Sequence, residues 1–340
     1  MDMISIVTWN NGVCETTSGI RVYADTNLTQ VSQEQCTGYA LQENSAALLL
    51  SPIGSGIMEY QMQTLDANDK SYRYNGANPN NYVCFGSNEV DCLYNNLYRI
   101  IGVFDGQVKL IKVDYATSAE LGTNGDYSSI TYSSSDIDTY KGNLTTINRY
   151  YWNDVNHILA YQETGYINVW SYSELNKTNL NTNFLNSFDS VWQNMIATVE
   201  WKVGGIGDDA YVSNFNKFYD YEIKKLNVDV ETTYTARIGL MYVSDYIYGA
   251  IQEDWNTPVS GYVLGDGATP NDNWIYMGLE DWTISRNIED GETIWFISGN
   301  GLVARGTYSF NAIRPVFYIS SSALYSSGDG SINNPFRIEI

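Results

Sequence analysis

Tyr98-Arg99-Ile100-Ile101-Gly102-Val103-Phe104, then Asp105-Gly106, then Gln107-Val108-Lys109-Leu110-Ile111-Lys112-Val113, reads as two β-strands joined by a tight turn. Asp-Gly supplies the positive φ angles of a two-residue type I′ turn, and both flanks are rich in β-forming residues. Working outward, residues 1 to about 70 are polar and irregular, with one apolar run at Ala46-Ala47-Leu48-Leu49-Leu50. Gly54-Ser55-Gly56 lacks the Lys-Ser/Thr pair and the following helix of a phosphate loop, so it reads as a strand-to-strand turn.

Beyond the hairpin, residues 115–170 are rich in Ser, Thr, Tyr and Asn and predict long loops with short strands. Leu180, Phe184, Phe188, Trp192 and Ile196 recur every four residues, the apolar stripe of a core helix. Thr198 to Val203 alternates as a strand and ends at Gly204-Gly205. A second helix is expected from Ser244 as N-cap, with Asp245 complementing its positive end, through Tyr246 to Ala250. The last third predicts strands at Trp282–Ser285, Thr293–Ile297, Leu302–Ala304, Ala312–Ile319 and Phe336–Ile340. Pro315 marks an edge, a bulge or a strand start, and Gly328-Asp329-Gly330 marks a turn.

Composition narrows the functional classes. The 340 residues carry 18 Lys+Arg against 39 Asp+Glu, a formal net charge of −21. That sign repels nucleic-acid backbones and anionic lipid, so neither is an expected partner. The 29 Tyr and 9 Trp suit sheet faces and amphipathic binding surfaces, and charged residues make up only 17%. No apolar segment reaches the ~18 residues of a membrane-spanning helix. Met1-Asp2-Met3-Ile4-Ser5 has no basic or long apolar leader region. The four cysteines, Cys14, Cys36, Cys84 and Cys92, all lie early. Disulfides Cys84–Cys92 across a turn-like stretch and Cys14–Cys36 are the natural pairing, with free buried thiols and zinc as alternatives. Disulfides imply an oxidising compartment; of the two expectations left open, an export or anchor segment absent from this sequence or a cytosolic protein, the cysteines favour the first.

Catalytic patterns are thin. The single histidine, His157, has no evident partner in sequence and reads as structural or superficial. Asp208-Asp209, Glu253-Asp254 and Glu289-Asp290 sit in turn-like segments, and Asp126 with Asp136 and Asp138 does not make a convincing calcium site. The acidic pairs read as solvated turns, with calcium ligation and glycosidase-type acid–base work as the alternatives. No Asp-x-Asp-x-Asp-Gly spacing occurs, so no cofactor is expected beyond a possible weak calcium site. Asn27, Asn143 and Asn176 match the glycan-acceptor pattern at a frequency that chance explains in an Asn/Thr-rich chain.

Asp281 to Ile319 resembles the C-terminal signature of the C-type-lectin-like domains related to formylglycine-generating enzymes. It is most similar to bacterial surface subfamilies that end in an Arg-Pro-Val strand. The residues that carry the likeness are Trp282 with Ser285, Asn287 to Glu292, Trp295-Phe296-Ile297, Gly299-Asn300-Gly301, Arg305 to Phe310, and Ile313-Arg314-Pro315-Val316. Leu240 to Tyr246, Tyr98 to Lys112 and Trp201 to Gly205 also look like this group. The resemblance implies an α+β fold. It would be a C-type-lectin-like domain over 71–340, with short twisted antiparallel strands, two helices and long loops. A small β-rich N-terminal region over 1–70 would precede it. The formylglycine enzymes use C-terminal cysteines, and this chain has none after Cys92, so that activity is not expected.

What the resemblance implies about function is a non-enzymatic bacterial cell-surface protein, extracellular, that binds a glycan or protein ligand or mediates adhesion. In the implied fold the segments around Asn287–Glu292 and Arg305–Phe310 share one exposed face, which is hypervariable in some related lectin-like domains. The expected ligand-binding residues are Trp274, Tyr276, Arg286, Asn287, Asn300, Arg305, Tyr308 and Ser309, types favoured in recognition surfaces. Trp282, Trp295 and Arg314 are assigned to the scaffold. The alternative function is a structural subunit of a pilus-like filament, suggested by anchored relatives and by β-edges available for self-assembly.

Overall fold

The Tyr98–Val113 stretch forms the centre of the largest sheet. The structure, a computed structural model, describes residues 7–10, 12–16, 72–104, 107–133, 135, 138–154, 157–212, 216–224, 231–251, 273–301, 303–306, 310–320 and 323–339. In chain order the strands and α-helices are β1 (Val7–Asn10), β2 (Val13–Thr16), β3 (Tyr72–Arg73), β4 (Tyr82–Cys84), β5 (Leu97–Phe104), β6 (Gln107–Lys112) and α1 (Ser118–Leu121). β7 (Tyr127–Ser133), β8 (Thr146–Tyr151), α2 (His157–Thr164), α3 (Ser190–Met195), β9 (Val199–Lys202) and α4 (Asn216–Tyr219) follow. The chain continues through β10 (Thr233–Ala236), β11 (Ile238–Gly239), α5 (Val243–Gly249), β12 (Asp281–Arg286), β13 (Ile294–Ile297) and β14 (Val303–Gly306). It ends with β15 (Phe310–Asn311), β16 (Val316–Tyr318), β17 (Leu324–Ser327) and β18 (Phe336–Glu339). Sheet predominates over a few short helices, an α+β arrangement.

The main sheet runs β11-β16-β6-β5-β4-β18-β17, with β3 also on β5. Phe104 pairs with Gln107 across β5 and β6, the register a two-residue connection requires. The turn at 105–106 itself lies outside the described residues. β5 is buried from Leu97 to Val103 and β6 from Val108 to Lys112. A strand covered on both faces reads as a continuous apolar run, and here Arg99, Lys109 and Lys112 interrupt it. Val316 opens β16, so Pro315 stands just before a strand, one of its three expected places.

The final strand lies inside the sheet, parallel to β4 and antiparallel to β17. Its entry depends on two glycines. A Cβ on Gly328 would meet the Pro335 carbonyl oxygen at 2.2 Å, and one on Gly330 the Asn80 oxygen at 2.4 Å; both have positive φ. Arg337 then donates to the carbonyls of Glu89 and Val90 in the loop that the Cys84–Cys92 disulfide closes. Cys14, in the β1–β2 hairpin, is also disulfide-bonded and buried in the main hydrophobic cluster. Cys36, its expected partner, lies outside the described residues, as do Ala46–Leu50, Gly54–Gly56 and Glu253-Asp254.

The helical expectations need correction. The Leu180–Ile196 stripe is buried throughout, but it is divided between a π-helical segment at Leu175–Phe184 and α3. Ser187 ends the first segment, its amide and hydroxyl both donating to the Phe184 carbonyl. Both pieces still present their aromatics to one cluster, in which Phe85 meets Phe188 at 5.5 Å, Trp192 at 4.8 Å and Phe317 at 4.9 Å. In the second helix Tyr242, not Ser244, holds the N-cap position. Asp245 sits one turn in and accepts the Tyr242 amide at 2.9 Å. Residues 115–170 are also more ordered than expected, with β7 and β8 paired and α2 after them.

Phe336 is fully buried between neighbouring strands. Phe336→Ala should therefore cost about 3–5 kcal/mol, measured by urea unfolding of the full chain. A loss under about 1 kcal/mol would mean that the last strand stands outside the cooperative core.

Candidate functional site

Two groupings of polar side chains stand out, one sealed and one open. In the sealed one, Asp245 accepts Arg73 at 2.7 Å and Lys109 at 2.5 Å, all three buried. Aromatic rings close around the cations: Phe104 lies 4.5 Å from the Arg73 guanidinium and Tyr242 4.3 Å from the Lys109 ammonium. Beside them Glu222 accepts the amides of Val243 and Ser244 and the hydroxyl of Ser285. The two cations hold Asp245 below the usual carboxylate range, against the cost of its burial. Burial pushes Glu222 the other way, up to about 7, and its hydrogen bonds only partly oppose this. The cluster suits anchoring better than chemistry, because its charges are spent on one another.

The open grouping is a cleft of about 330 Å³ over the β4–β5–β6 side of the main sheet. Its floor is buried: Arg99, Ile111, Lys112, Val113, Trp274, Tyr276 and Arg314. Half-buried Tyr82 and Tyr94 form walls, and exposed Ala77, Asn78, Lys141, Asn143 and Ile332 form the rim. Strand β5 delivers Arg99 between two rings, with Tyr82 at 4.3 Å and Trp274 at 4.5 Å from its guanidinium. Arg99 donates to the side-chain oxygens of Asn81 and Asn78 and to the carbonyls of Pro79 and Trp274. The Lys112 ammonium is met by Glu120 and the Asn95 carbonyl, and Arg314 by Asp281 at 2.6 Å.

The rest of the cleft is positioned from distant chain segments. Trp274 is pinned by its amide to the Gly76 carbonyl and by its indole N–H to Tyr74. The Tyr276 hydroxyl donates to the Gly299 carbonyl at 2.6 Å. Asp114 organises the 140–144 loop, accepting the Tyr140 hydroxyl at 2.6 Å and the Asn143 amide at 2.8 Å. That loop brings Lys141 over the Tyr276 ring at 4.7 Å. Cationic donors, tyrosine faces and rim amides thus converge on one concavity, which suits binding of a polar ring-shaped ligand.

The expected site residues separate. Trp274 and Tyr276 reach the cleft, but each is only 4% exposed and serves as floor. Arg286 and Asn287 are buried, not displayed on a loop. Arg286 donates to the Gly204 carbonyl, and Asn287 donates to Asp208 while accepting the Glu289 amide. The reason is Asn168, whose side-chain amide holds the carbonyls of Asn287, Asp290 and Thr293 and draws the segment inward. Asn300 is exposed on the β13–β14 turn, next to the carbonyl that accepts Tyr276. Arg305 pairs with Trp295 in β14, while Tyr308 and Ser309 lie outside the described residues.

Trp282 and Trp295 are buried in the scaffold, as expected; Arg314, assigned there too, is buried but also lines the cleft floor. His157 begins α2. Asp209 pairs with Lys217 and accepts the Tyr221 hydroxyl. Among the described residues no group of three or more His, Cys, Asp or Glu converges as a metal site would require, and no helix is long and apolar enough to cross a membrane. Sequence reasoning missed Arg99, Lys112, Tyr82, Tyr94, Lys141 and Asn143 as site residues. The available signal was cations set inside an apolar strand pair, which burial forces to find partners.

No protein-family model, curated protein or solved structure matches this chain.

The raised Glu222 group gives a stability test. Its folded form holds the proton more tightly than the unfolded chain, so its contribution is full at acid pH and is lost as pH rises through about 7. The melting temperature should fall between about pH 4.5 and pH 7, and Glu222→Gln should flatten that segment of the profile. An unchanged slope in the variant would assign the pH dependence to another group.

Proposed function

We propose that this chain is a non-enzymatic ligand-binding or adhesion protein of the bacterial surface, and that its ligand is a glycan held in the cleft. The observation that carries this reading is the cleft itself, where the tyrosine walls of Tyr82 and Tyr94 face rim amides Asn78 and Asn143 above a cationic floor. Tyrosine offers stacking area and a hydroxyl at low entropic cost, and amides match the paired donors and acceptors of sugar hydroxyls. Among the described residues that line the cleft there is no histidine, cysteine or carboxylate, which favours recognition over acid–base or nucleophilic chemistry. The Cys84–Cys92 disulfide is in keeping with an extracellular location. A C-type-lectin-like architecture belongs to the same proposal, supported by the short antiparallel strands β12, β13 and β14 that carry the family-like residues. In this reading the ligand site lies on the 77–143 and 273–277 side, away from Arg286 and Asn287.

A glycan array probed with the intact protein tests the proposal. Tyr94→Ala combined with Asn143→Ala should weaken retained glycans about tenfold or more, at an unchanged melting temperature, since one good polar contact is worth about that factor. Asn300→Ala should bind like wild type. The reverse pattern would move the site to the β13–β14 turn, and an array with no retained glycan would reject a glycan ligand.

A further inference from the structure

The protein carries a net charge of −21, yet the cleft gathers Arg99, Lys112, Arg314 and Lys141, and no carboxylate is among the described residues that line it. At long range such a protein repels anions, so a local concentration of cations needs a local reason. For two of the four the reason is internal: Lys112 is paired with Glu120 and Arg314 with Asp281. Arg99 is different. Its four hydrogen-bond partners are neutral oxygens, from Asn81, Asn78, Pro79 and Trp274. No carboxylate lies within ion-pairing distance of it among the described residues.

Burial and the neighbouring Arg314 charge push Arg99 down to about 10, which leaves it protonated at neutral pH. A buried guanidinium without a countercharge is costly, and ring faces offset only part of that cost. The molecule therefore keeps a charged, planar, forked donor at the bottom of an open cleft, with Lys141 exposed at the rim. Four of its five N–H groups are already engaged, so what Arg99 offers a ligand is its uncompensated charge and one remaining N–H on Nη1. The half-buried rings of Tyr82 and Tyr94 line the same cleft.

We propose that the cleft selects acidic saccharides, binding a uronic- or sialic-type unit with its carboxylate toward Arg99 and Lys141 and its ring against Tyr82 and Tyr94. This rests on the reading of the cleft as a glycan site and adds the charge class of the ligand. Entry of the anion supplies the countercharge that the folded chain withholds from Arg99.

The test is the same array extended with matched sets: carboxylated glycans, their carboxyl-reduced counterparts and sulfated analogues. Carboxylated members should be retained, and reduction of the carboxyl should cost about tenfold or more, the usual loss for one charge-assisted hydrogen bond. Lys141→Glu, at an exposed position that leaves the fold intact, should weaken the same members by at least a similar factor. Arg99→Gln, checked for an unchanged melting temperature, should remove the uncompensated charge and weaken carboxylated members about tenfold or more while leaving carboxyl-reduced members unaffected. Equal binding of acidic and reduced glycans, still dependent on Tyr94 and Asn143, would overturn the acidic-saccharide inference and leave the glycan reading standing. Retention of sulfated members alone would overturn the carboxylate assignment. No glycan retained at all would remove both.

Discussion

Asp245, buried between Arg73 and Lys109, is the interaction on which the arrangement of the core depends. It joins three elements far apart in sequence: the short strand β3, the hairpin strand β6 and the first turn of α5. None of the three charges could be buried alone, since each would forfeit its hydration without compensation. Together they are tolerable because Asp245 also accepts the Tyr242 amide and the cations lie against Phe104, Tyr242, Tyr248 and Trp201. Removing one member would strand the others, a loss of about 3–5 kcal/mol in comparable buried pairs. An apolar trio could be as stable, so the value of the charges lies in fixing which elements meet.

That fixation carries through to the cleft. With α5 docked by Asp245, its Tyr246 carbonyl accepts the side chain of Asn273, and Ala250 bridges to Asn273 in the backbone. Asn273 in turn accepts the Ile275 amide, which shapes the Trp274–Tyr276 segment that floors the cleft. On the opposite side, Arg99 belongs to β5, whose partner β6 supplies Lys109 to the same cluster. The sealed ionic group and the open cationic one are thus two ends of a single β5–β6 hairpin. One end has its countercharges built in; in the proposed function the other receives one from the ligand.

The hairpin, the family of short C-terminal strands and the Cys84–Cys92 pair were legible in the sequence because each is encoded locally. Turn residues, alternation and cysteine spacing act over fewer than about a dozen positions. The Leu180–Ile196 region misled because a four-residue apolar spacing persists through a π-helical segment and a break, so periodicity alone cannot locate the interruption. The cleft was hidden for a different reason. Its residues come from positions as far apart as Ala77 and Ile332, and only the sheet order brings them together. Even so, Arg99 and Lys112 within an apolar strand pair were an unread clue. Arg286 and Asn287 show the converse error, where polar residue type suggested an exposed loop and Asn168 had already buried it.

Asparagine explains how this chain can bury so much irregular backbone with so few charges. A buried loop must still satisfy its amides and carbonyls. Asn168 caps three carbonyls of the 287–293 loop; Asn179 holds the carbonyls of Leu121 and Asn124 and accepts the Asp126 amide. Asn181 accepts the Arg237 and Ile238 amides and donates to the Ile238 carbonyl, acting as a short strand against β11. A neutral amide does this without the desolvation cost of a carboxylate or an ammonium. The same device steadies the cleft, where Asn81 and Asn273 hold Arg99 and the Trp274 segment in place. Side chains held on such loops lose little freedom when a ligand arrives, and that pre-organisation is what the proposed glycan site would require, since sugar hydroxyls gain little by leaving water.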